Sequence, residues 1–313
     1  MLEVFDIYEK PDQLVRSSGS SKKTDKLITE YLAIEAESAK EAGMLAFMAR
    51  AMIMATLPHS KLDADYFQRW NGDYVLTIQA NPVFGMPYGS LPRLLLAWIT
   101  REAKRTKSHV LHLGKSFSEF LRALDLSRSG GKRGDATRLR DQMLRLFSSH
   151  ISCVYQDKKN GVCKADQFQV ARSFELWWNP LKDNQCNISK QSTITLSKDF
   201  FEEIIDRPVP IDLRVLQALR KSPLQIDIYT WLTYRFFSLK KSTLIPWISL
   251  KNQFGSNYAE NRQGLRDFKR EFIRSLRVVT AFYNEAKVSL EDDGINLNPS
   301  RSHIKNIHQI GVH

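Results

Sequence analysis

The residues best suited to chemistry are cations in the stretch KRGDATRLRDQMLRLF (132–147). Lys132 and Arg133 stand in a loop, Gly130-Gly131-Lys132-Arg133-Gly134, that is both flexible and basic. A helix signal follows. Asp135 is placed to act as N-cap, and Leu139, Met143, Leu146 and Phe147 recur at helical spacing on one face. Thr137, Arg138, Asp141 and Arg145 fall on the opposite face. Arg140 lies at the edge, placed to pair with an acid. A helix with an apolar back and a basic front suits the major groove of DNA, where arginine and lysine meet phosphates or guanine edges. The same pattern describes a solvated amphipathic helix, so the rest of the chain has to decide.

A second stretch repeats the division of faces. In NRQGLRDFKREFIRSLRVV (261–279), Leu265, Phe268, Phe272, Ile273 and Leu276 form the apolar side, with Gln263, Arg266, Arg270, Arg274 and Arg277 opposite. Six bases and two acids between Arg262 and Arg277 leave a net +4. LRDQMLRLF (139–147) and LRDFKREFI (265–273) both open with Leu-Arg-Asp, a match too short to prove duplication. The order of elements around them is the stronger parallel. Two such helices favour nucleic acid over solvated charge. Duplex DNA is preferred, because groove insertion uses helices, whereas sequence-specific RNA readers usually stack bases on sheet aromatics. The expected contacts are Lys132, Arg133, Thr137, Arg138 and Arg145, with Lys158 and Lys159 on an adjoining hairpin, then Gln263, Arg266, Arg270 and Arg274.

Catalytic chemistry finds little support. Gly130-Gly131-Lys132 lacks the upstream glycine of a nucleotide-binding loop, and arginine follows the lysine. The seven histidines include no HExxH; His109 and His112 form a strand-like H-x-x-H, unlike the apolar-flanked His-x-His of a rolling-circle nickase. Tyr229 and Tyr234 therefore read as helix-packing residues rather than nucleophiles. No acidic cluster suggests a pair of magnesium ions. The expectation is a protein with no enzymatic activity, no cofactor and no metal.

Composition agrees. A net charge of +12 and a pI near 9.5 point to a polyanionic partner. The charge is local: Arg101 to Phe147 carries twelve bases against five acids, whereas the first forty residues carry eight acids against six bases. Cys153, Cys163 and Cys186 have no CxxC spacing, and three is odd, so a reducing cytoplasm is expected. No apolar run reaches the length of a membrane span, and MLEVFDIYEK does not resemble a signal peptide.

The elements that must position these cations can be read in order. SSGSSKKTDK (17–26) reads as a linker, and 26–57 as a long helical pattern with a methionine-rich packed face (Met44, Met48, Met52, Met54). DYVLTIQ (73–79) alternates like a strand after Asn71-Gly72, and NPVFGMPYGS (81–90) is a shaped loop. Then come a helix at 92–105, a strand at 110–114, a helix at 116–126 with Ser116 and Glu119 as capping box, and the basic helix. Strands at 151–157 and 167–178 flank the basic turn Lys158-Lys159-Asn160-Gly161. That order is a winged helix, a helix-turn-helix variant whose third helix enters the major groove. After a polar link, helices at 212–221, 223–240 and 249–255 lead to the second basic helix and a hairpin over Glu-Asp-Asp-Gly. The fold expected is α+β, mostly helical, with two tandem winged-helix domains. They span residues 91–178 and 212–298, with a helical extension over 1–90, a connector over 179–211 and a disordered tail over 299–313.

Several stretches together resemble the plasmid-encoded RepA replication initiator proteins of bacteria. They are ATLPH (55–59), NGDYVLTIQA (71–80), FGMPYGSLPRLLLAWITREAKRT (84–106), LGKSFSEFLRALDL (113–126), SGGKRGDATRLRDQMLRLF (129–147), RSFELWW (172–178) and SPLQIDIYTWLTYR (222–235). The resemblance spans about residues 45 to 280. It implies a protein that binds double-stranded DNA at a plasmid origin, at repeats called iterons, helps melt the adjacent duplex and recruits host replication proteins. Related tandem winged-helix initiators switch between dimers and DNA-binding monomers, so a homodimer is one expected state. Where the family often has an aromatic residue, in a TGGRWG-like loop, this chain has Arg133. The rivals are a winged-helix transcriptional repressor, which would leave the origin unmelted, and a nicking or priming enzyme.

Overall fold

The structure, a computed structural model, describes residues 45–49, 52–53, 56–129, 131, 134–157, 160–177, 191–206, 208–255 and 257–304. It is an α+β protein whose paired strands run antiparallel, with eight helices among the described residues. The chain divides into two compact units, Phe47–Pro208 and Val209–His313 with Met1–Ala46. Strand β1, Leu45–Ala49, lies where the periodicity predicts a long helix over 26–57. A five-residue apolar run reads equally as strand or buried helix, so pattern alone could not separate them. Met52 and Ile53 are helical and buried; residues 1–44, 50–51 and 54–55 of the expected extension lie outside the described residues, and 56–89 form coil, turns and two strands rather than helix.

In the first unit, strands β2 (Tyr66–Asn71) and β3 (Tyr74–Gln79) meet at Gly72, whose φ of 60° suits a tight reversal. Helix α1, Ser90–Thr106, forms the core, with Leu94, Leu95, Leu96, Ala97 and Ile99 all at most 1% exposed. Its buried Arg93 donates to the carbonyls of Gly89 (2.6 Å) and Leu57 (2.7 Å), tying the preceding segments to the helix. Strand β4 (Val110–His112) leads to α2 (Phe117–Ala123), whose cap is Ser116: its hydroxyl accepts from the Glu119 amide at 3.2 Å. The Glu119 carboxylate reaches one residue further back than a capping box, to the Lys115 amide (2.7 Å). Helix α3, Asp135–Phe147, is the predicted basic helix.

Strands β5 (His150–Asp157) and β6 (Val162–Gln169) form a hairpin that joins β2 and β3 in one four-stranded sheet, order β2-β3-β5-β6. Phe67, Ile78, Ile151 and Phe168 stand in one row across it, all buried. The single long strand expected over 167–178 is in fact two. The chain breaks at buried Val170, and β7 (Ala171–Glu175) enters another sheet, order β4-β8-β7, with β8 (Thr193–Leu196). Helix α4 (Lys198–Asp206) then packs Phe200 on Phe168, ring centroids 5.7 Å apart.

Strand β9 (Pro208–Asp212) precedes α5 (Leu213–Ala218), capped by Asp212, and α6 (Pro223–Ser238), capped by Ser222. Then follow β10 (Thr243–Pro246), α7 (Trp247–Phe254), α8 (Arg262–Phe282), β11 (Val288–Leu290) and β12 (Gly294–Leu297), with sheet order β10-β12-β11. Phe254, Phe268 and Phe272 are completely buried, and Trp231 and Trp247 close the cluster edge-on. Residues 299–304 are not the free tail expected. The His303 amide donates to the Tyr283 hydroxyl (2.9 Å), the His303 ring pairs with the Tyr229 hydroxyl (2.9 Å), and Ile304 is buried. Missing periodicity signals coil rather than mobility, and tertiary partners anchor this coil. Residues 305–313 lie outside the described residues.

Candidate nucleic-acid interface

Helix α8 is the more strongly cationic of the two helices. Asn261 caps it, its side-chain oxygen accepting from the Gly264 amide at 2.8 Å. Glycine is required there, because a Cβ on Gly264 would stand 2.0 Å from the Ala259 carbonyl oxygen. Phe268, Phe272, Leu276 and Val279 bury one side completely; Leu265 and Ile273, expected in the core, are only half-buried at its margin. Arg262, Gln263, Arg266, Arg270, Arg274 and Arg277 are all exposed and form a stripe at intervals of three and four residues. The structure thus brings Gln263, Arg266, Arg270 and Arg274 onto one face, and adds Arg262 and Arg277, which the expected set omitted although the same periodicity includes them.

The stripe is not uniform. Arg270 donates to Asp267 Oδ1 at 2.8 Å, and Gln263 donates to Asp267 Oδ2 at 3.1 Å. Arg274 pairs with Glu271 at 2.8 Å. Arg270 and Arg274 keep 79% and 74% of their side-chain surface exposed, so these pairs orient more than they stabilise. Tyr258 flanks the helix with its ring edge-on to Phe268, centroids 5.6 Å apart. Burial pushes its hydroxyl above the usual tyrosine range; Glu271 adds to the rise and Arg274 opposes it. The hairpin tip at Glu291-Asp292-Asp293 folds back on the same unit: Trp247 Nε1 donates to the Glu291 carbonyl and Lys269 to the Asp292 carbonyl, both at 3.2 Å.

Helix α3 is built differently from the expectation. Its cap is Gly134, and Asp135 is the first helical residue. The Asp135 carboxylate has turned to the preceding loop, accepting from the Ser127 amide (3.1 Å) and hydroxyl (2.9 Å). Ser127, which offers two donors, outcompetes the helix's own amides for the carboxylate, and the Ser129 hydroxyl accepts from the Asp135 amide at 3.3 Å. Leu139, Met143, Leu146 and Phe147 are buried as the spacing requires. Arg138 is exposed, 3.7 Å from Asp135, and Thr137 is half-buried beside it.

Arg145 departs from the role expected of it. It has only 14% of its side chain exposed, pairs with Asp141 at 2.8 Å and donates to the Met86 carbonyl at 3.2 Å. Its guanidinium also lies over the Tyr88 ring, 5.5 Å from the centroid. Next to it, Gln142 accepts from the Tyr88 amide at 2.9 Å. Arg145 and Gln142 therefore clamp the 81–90 loop onto α3, and a Cβ on Gly85 (φ 81°) would meet the Arg145 guanidinium at 2.9 Å. The loop covers this end of α3, and in the helix's first two turns Arg138 is the exposed residue. Lys132, Arg133, Lys158 and Lys159 lie outside the described residues. Trp177 is 43% exposed, and Tyr229 is fully buried as a packing residue.

Among the described residues, no group of three or more His, Cys, Asp or Glu could hold a metal ion. No described helix is long and apolar enough to cross a membrane.

Fold and site together define a class: a basic α+β protein of two units, each with an amphipathic helix buried on its apolar side, of which α8 exposes a stripe of arginines and α3 exposes Arg138. A family model described as plasmid encoded RepA protein matches residues 86–247, just over half of the 313 residues. The chain belongs to that family, in agreement with the resemblance read from its motifs. No curated protein and no solved structure matches it.

Proposed function

We propose that the chain is a plasmid replication initiator, without enzymatic activity, that binds double-stranded origin DNA through α3 and α8. The observation that carries this reading is the arginine stripe of α8, set against an aromatic core, in a chain of the RepA family. The order α6-β10-α7-α8-β11-β12, with β12 between β10 and β11, supports a winged helix over 212–298. The order α1-β4-α2-α3-β5-β6 supports a variant over 91–178, in which the hairpin is extended by β2 and β3 and β4 pairs with β8. Phosphate contacts would supply affinity, and a few side chains, Arg138, Gln263, Arg266, Arg270 and Arg274, would supply position and specificity, whereas the Thr137 hydroxyl is buried and is withdrawn from that set. Lys132, Arg133, Lys158 and Lys159 stay in the proposed set on their sequence positions, next to α3 and between β5 and β6. Arg145 is reassigned from DNA contact to loop clamp. The acidic turn at 291–293 makes the second hairpin a poor phosphate ligand, so α8 carries the contact in that unit.

Two reading helices predict a site of about 20 base pairs, two consecutive major-groove turns. The same reading includes opening of the origin, iteron-like repeats as the target, recruitment of host replication proteins, a homodimeric state and a cytoplasmic location. DNase I footprinting on the parent replicon tests it, with a ladder of protected direct repeats as the expected result. Arg138→Ala and Arg270→Ala each weaken binding by about 1–3 kcal/mol if the residue reads a base. Unchanged binding of both variants removes the mechanism. Permanganate reactivity beside the repeats on supercoiled DNA separates an initiator from a repressor, and a site-specific nick with magnesium would refute the non-enzymatic reading.

A further inference from the structure

We infer that Asp267 is a specificity-determining positioning residue, which holds Gln263 and Arg270 as one two-headed base reader on α8. This rests on the proposal that α8 meets DNA. Asp267 is the only acid within four residues of both side chains that bonds to each: Oδ2 accepts from the Gln263 amide at 3.1 Å and Oδ1 from Arg270 at 2.8 Å. Its own side chain is 33% exposed, whereas Arg270 is 79% exposed. The carboxylate is the more covered partner, while Arg270 and Gln263 remain open to solvent.

Two physical consequences follow from that placement. A long arginine left alone samples many rotamers and reaches any nearby phosphate. Tethered at one end, it keeps its remaining donors aimed in one direction, which suits the fixed fork of a guanine edge. Gln263, held through its NH₂ group, presents its carbonyl oxygen outward as an acceptor. The same carboxylate also repels phosphate, so it lowers sequence-independent affinity at this point of the stripe. Arg266, one turn from Gln263 and Arg270, is exposed and pairs with no carboxylate among the described residues, and it serves as the phosphate-facing cation between them. Positive charge and base reading are thereby divided along a single helix face.

The experiment uses the full chain and a randomised duplex library. Binding sites are selected with the wild type, with Asp267→Ala, with Asp267→Glu and with Arg266→Ala, and affinities for the wild-type consensus and a scrambled duplex are measured across salt. The expected result for Asp267→Ala has three parts. Base preference is lost at one or two adjacent positions of the consensus while the other positions keep theirs. Affinity for scrambled duplex rises, and the ratio of specific to non-specific affinity falls by about fivefold or more. Asp267→Glu restores most of the ratio. Arg266→Ala weakens binding to both duplexes alike. An Asp267→Ala consensus and ratio equal to the wild type's, with Arg266→Ala still weakening both duplexes, overturns the inference and leaves the parent proposal standing. If the wild type selects no consensus, or Arg266→Ala binds as the wild type does, the parent proposal falls and the inference with it.

Discussion

Removal of Arg262 and Arg266 together isolates the electrostatic part of the proposed contact. Both are exposed, both lie in the first half of the α8 stripe, and neither takes part in the Asp267 or Glu271 pairs. Surface substitutions of this kind change stability by only about 0.5 kcal/mol or less, so loss of fold cannot imitate loss of binding. Each phosphate neutralised by a cation adds about 0.9 to the steepness with which log affinity falls against log salt. Arg262→Ala with Arg266→Ala should therefore flatten the slope by about 1.8. A fourfold rise in salt, from 50 to 200 mM, costs each such contact about 3.5-fold in affinity, so the variant escapes about a 12-fold part of the loss suffered by the wild type. Fluorescence anisotropy with a labelled duplex at five salt concentrations reads this directly, with the thermal midpoint as control. A slope changed by less than about 0.5 would show that this face does not displace counterions from DNA, and the assignment of α8 would fail.

Three other outcomes follow from the structure. Gly264→Ala destabilises the second unit by about 1–3 kcal/mol, because its Cβ has no room beside the Ala259 carbonyl, and Asn261→Ala costs about 1 kcal/mol through loss of the cap; denaturant midpoints that match the wild type's would contradict both. His303 gives a pH dependence. Burial, its largest cause, lowers the pKa of the imidazole below the usual histidine range, and Arg214 adds to this against Asp212 and Glu285. The unfolded chain then binds the proton more readily, so the contribution is intact above the ordinary histidine pKa and is lost as pH falls through the folded value. Thermal midpoints measured from pH 7.5 down to 5 should fall more steeply for the wild type than for His303→Gln; parallel curves would dismiss His303 as the cause. Finally, burial pushes the Cys153 thiol up to about 11, whereas Cys163 is exposed. Iodoacetamide at pH 8 should label Cys163 and spare Cys153 until the chain unfolds, as peptide mass mapping would show; prompt labelling of Cys153 would mean the sheet opens.

Much of the candidate site was legible before any coordinates. The apolar back of α8 and its arginine stripe follow from side-chain order alone, because a helix places residues three and four apart on one face. The same holds for Leu139, Met143, Leu146 and Phe147 of α3, for the Ser116 cap, and for the Asn71-Gly72 and Asp293-Gly294 reversals, where local chemistry decides local geometry. These are short-range effects, and the chain carries them in its own spelling.

Tertiary structure alone decided which cations are free. Arg145 and Arg138 look alike in sequence, yet Arg145 reaches the carbonyl of Met86, 59 residues away, and Arg138, among the described residues, reaches only Asp135 in its own turn. The break at Val170 is equally invisible to alternation, since it arises from the competition of two sheets for one strand. Asp135 preferred Ser127 to its own helix, and His303 gave an aperiodic segment two tyrosines to hold. In each case the outcome depends on which distant donor or acceptor arrives at hydrogen-bonding distance once the core has packed. Periodicity, a property of neighbours along the chain, carries no record of that.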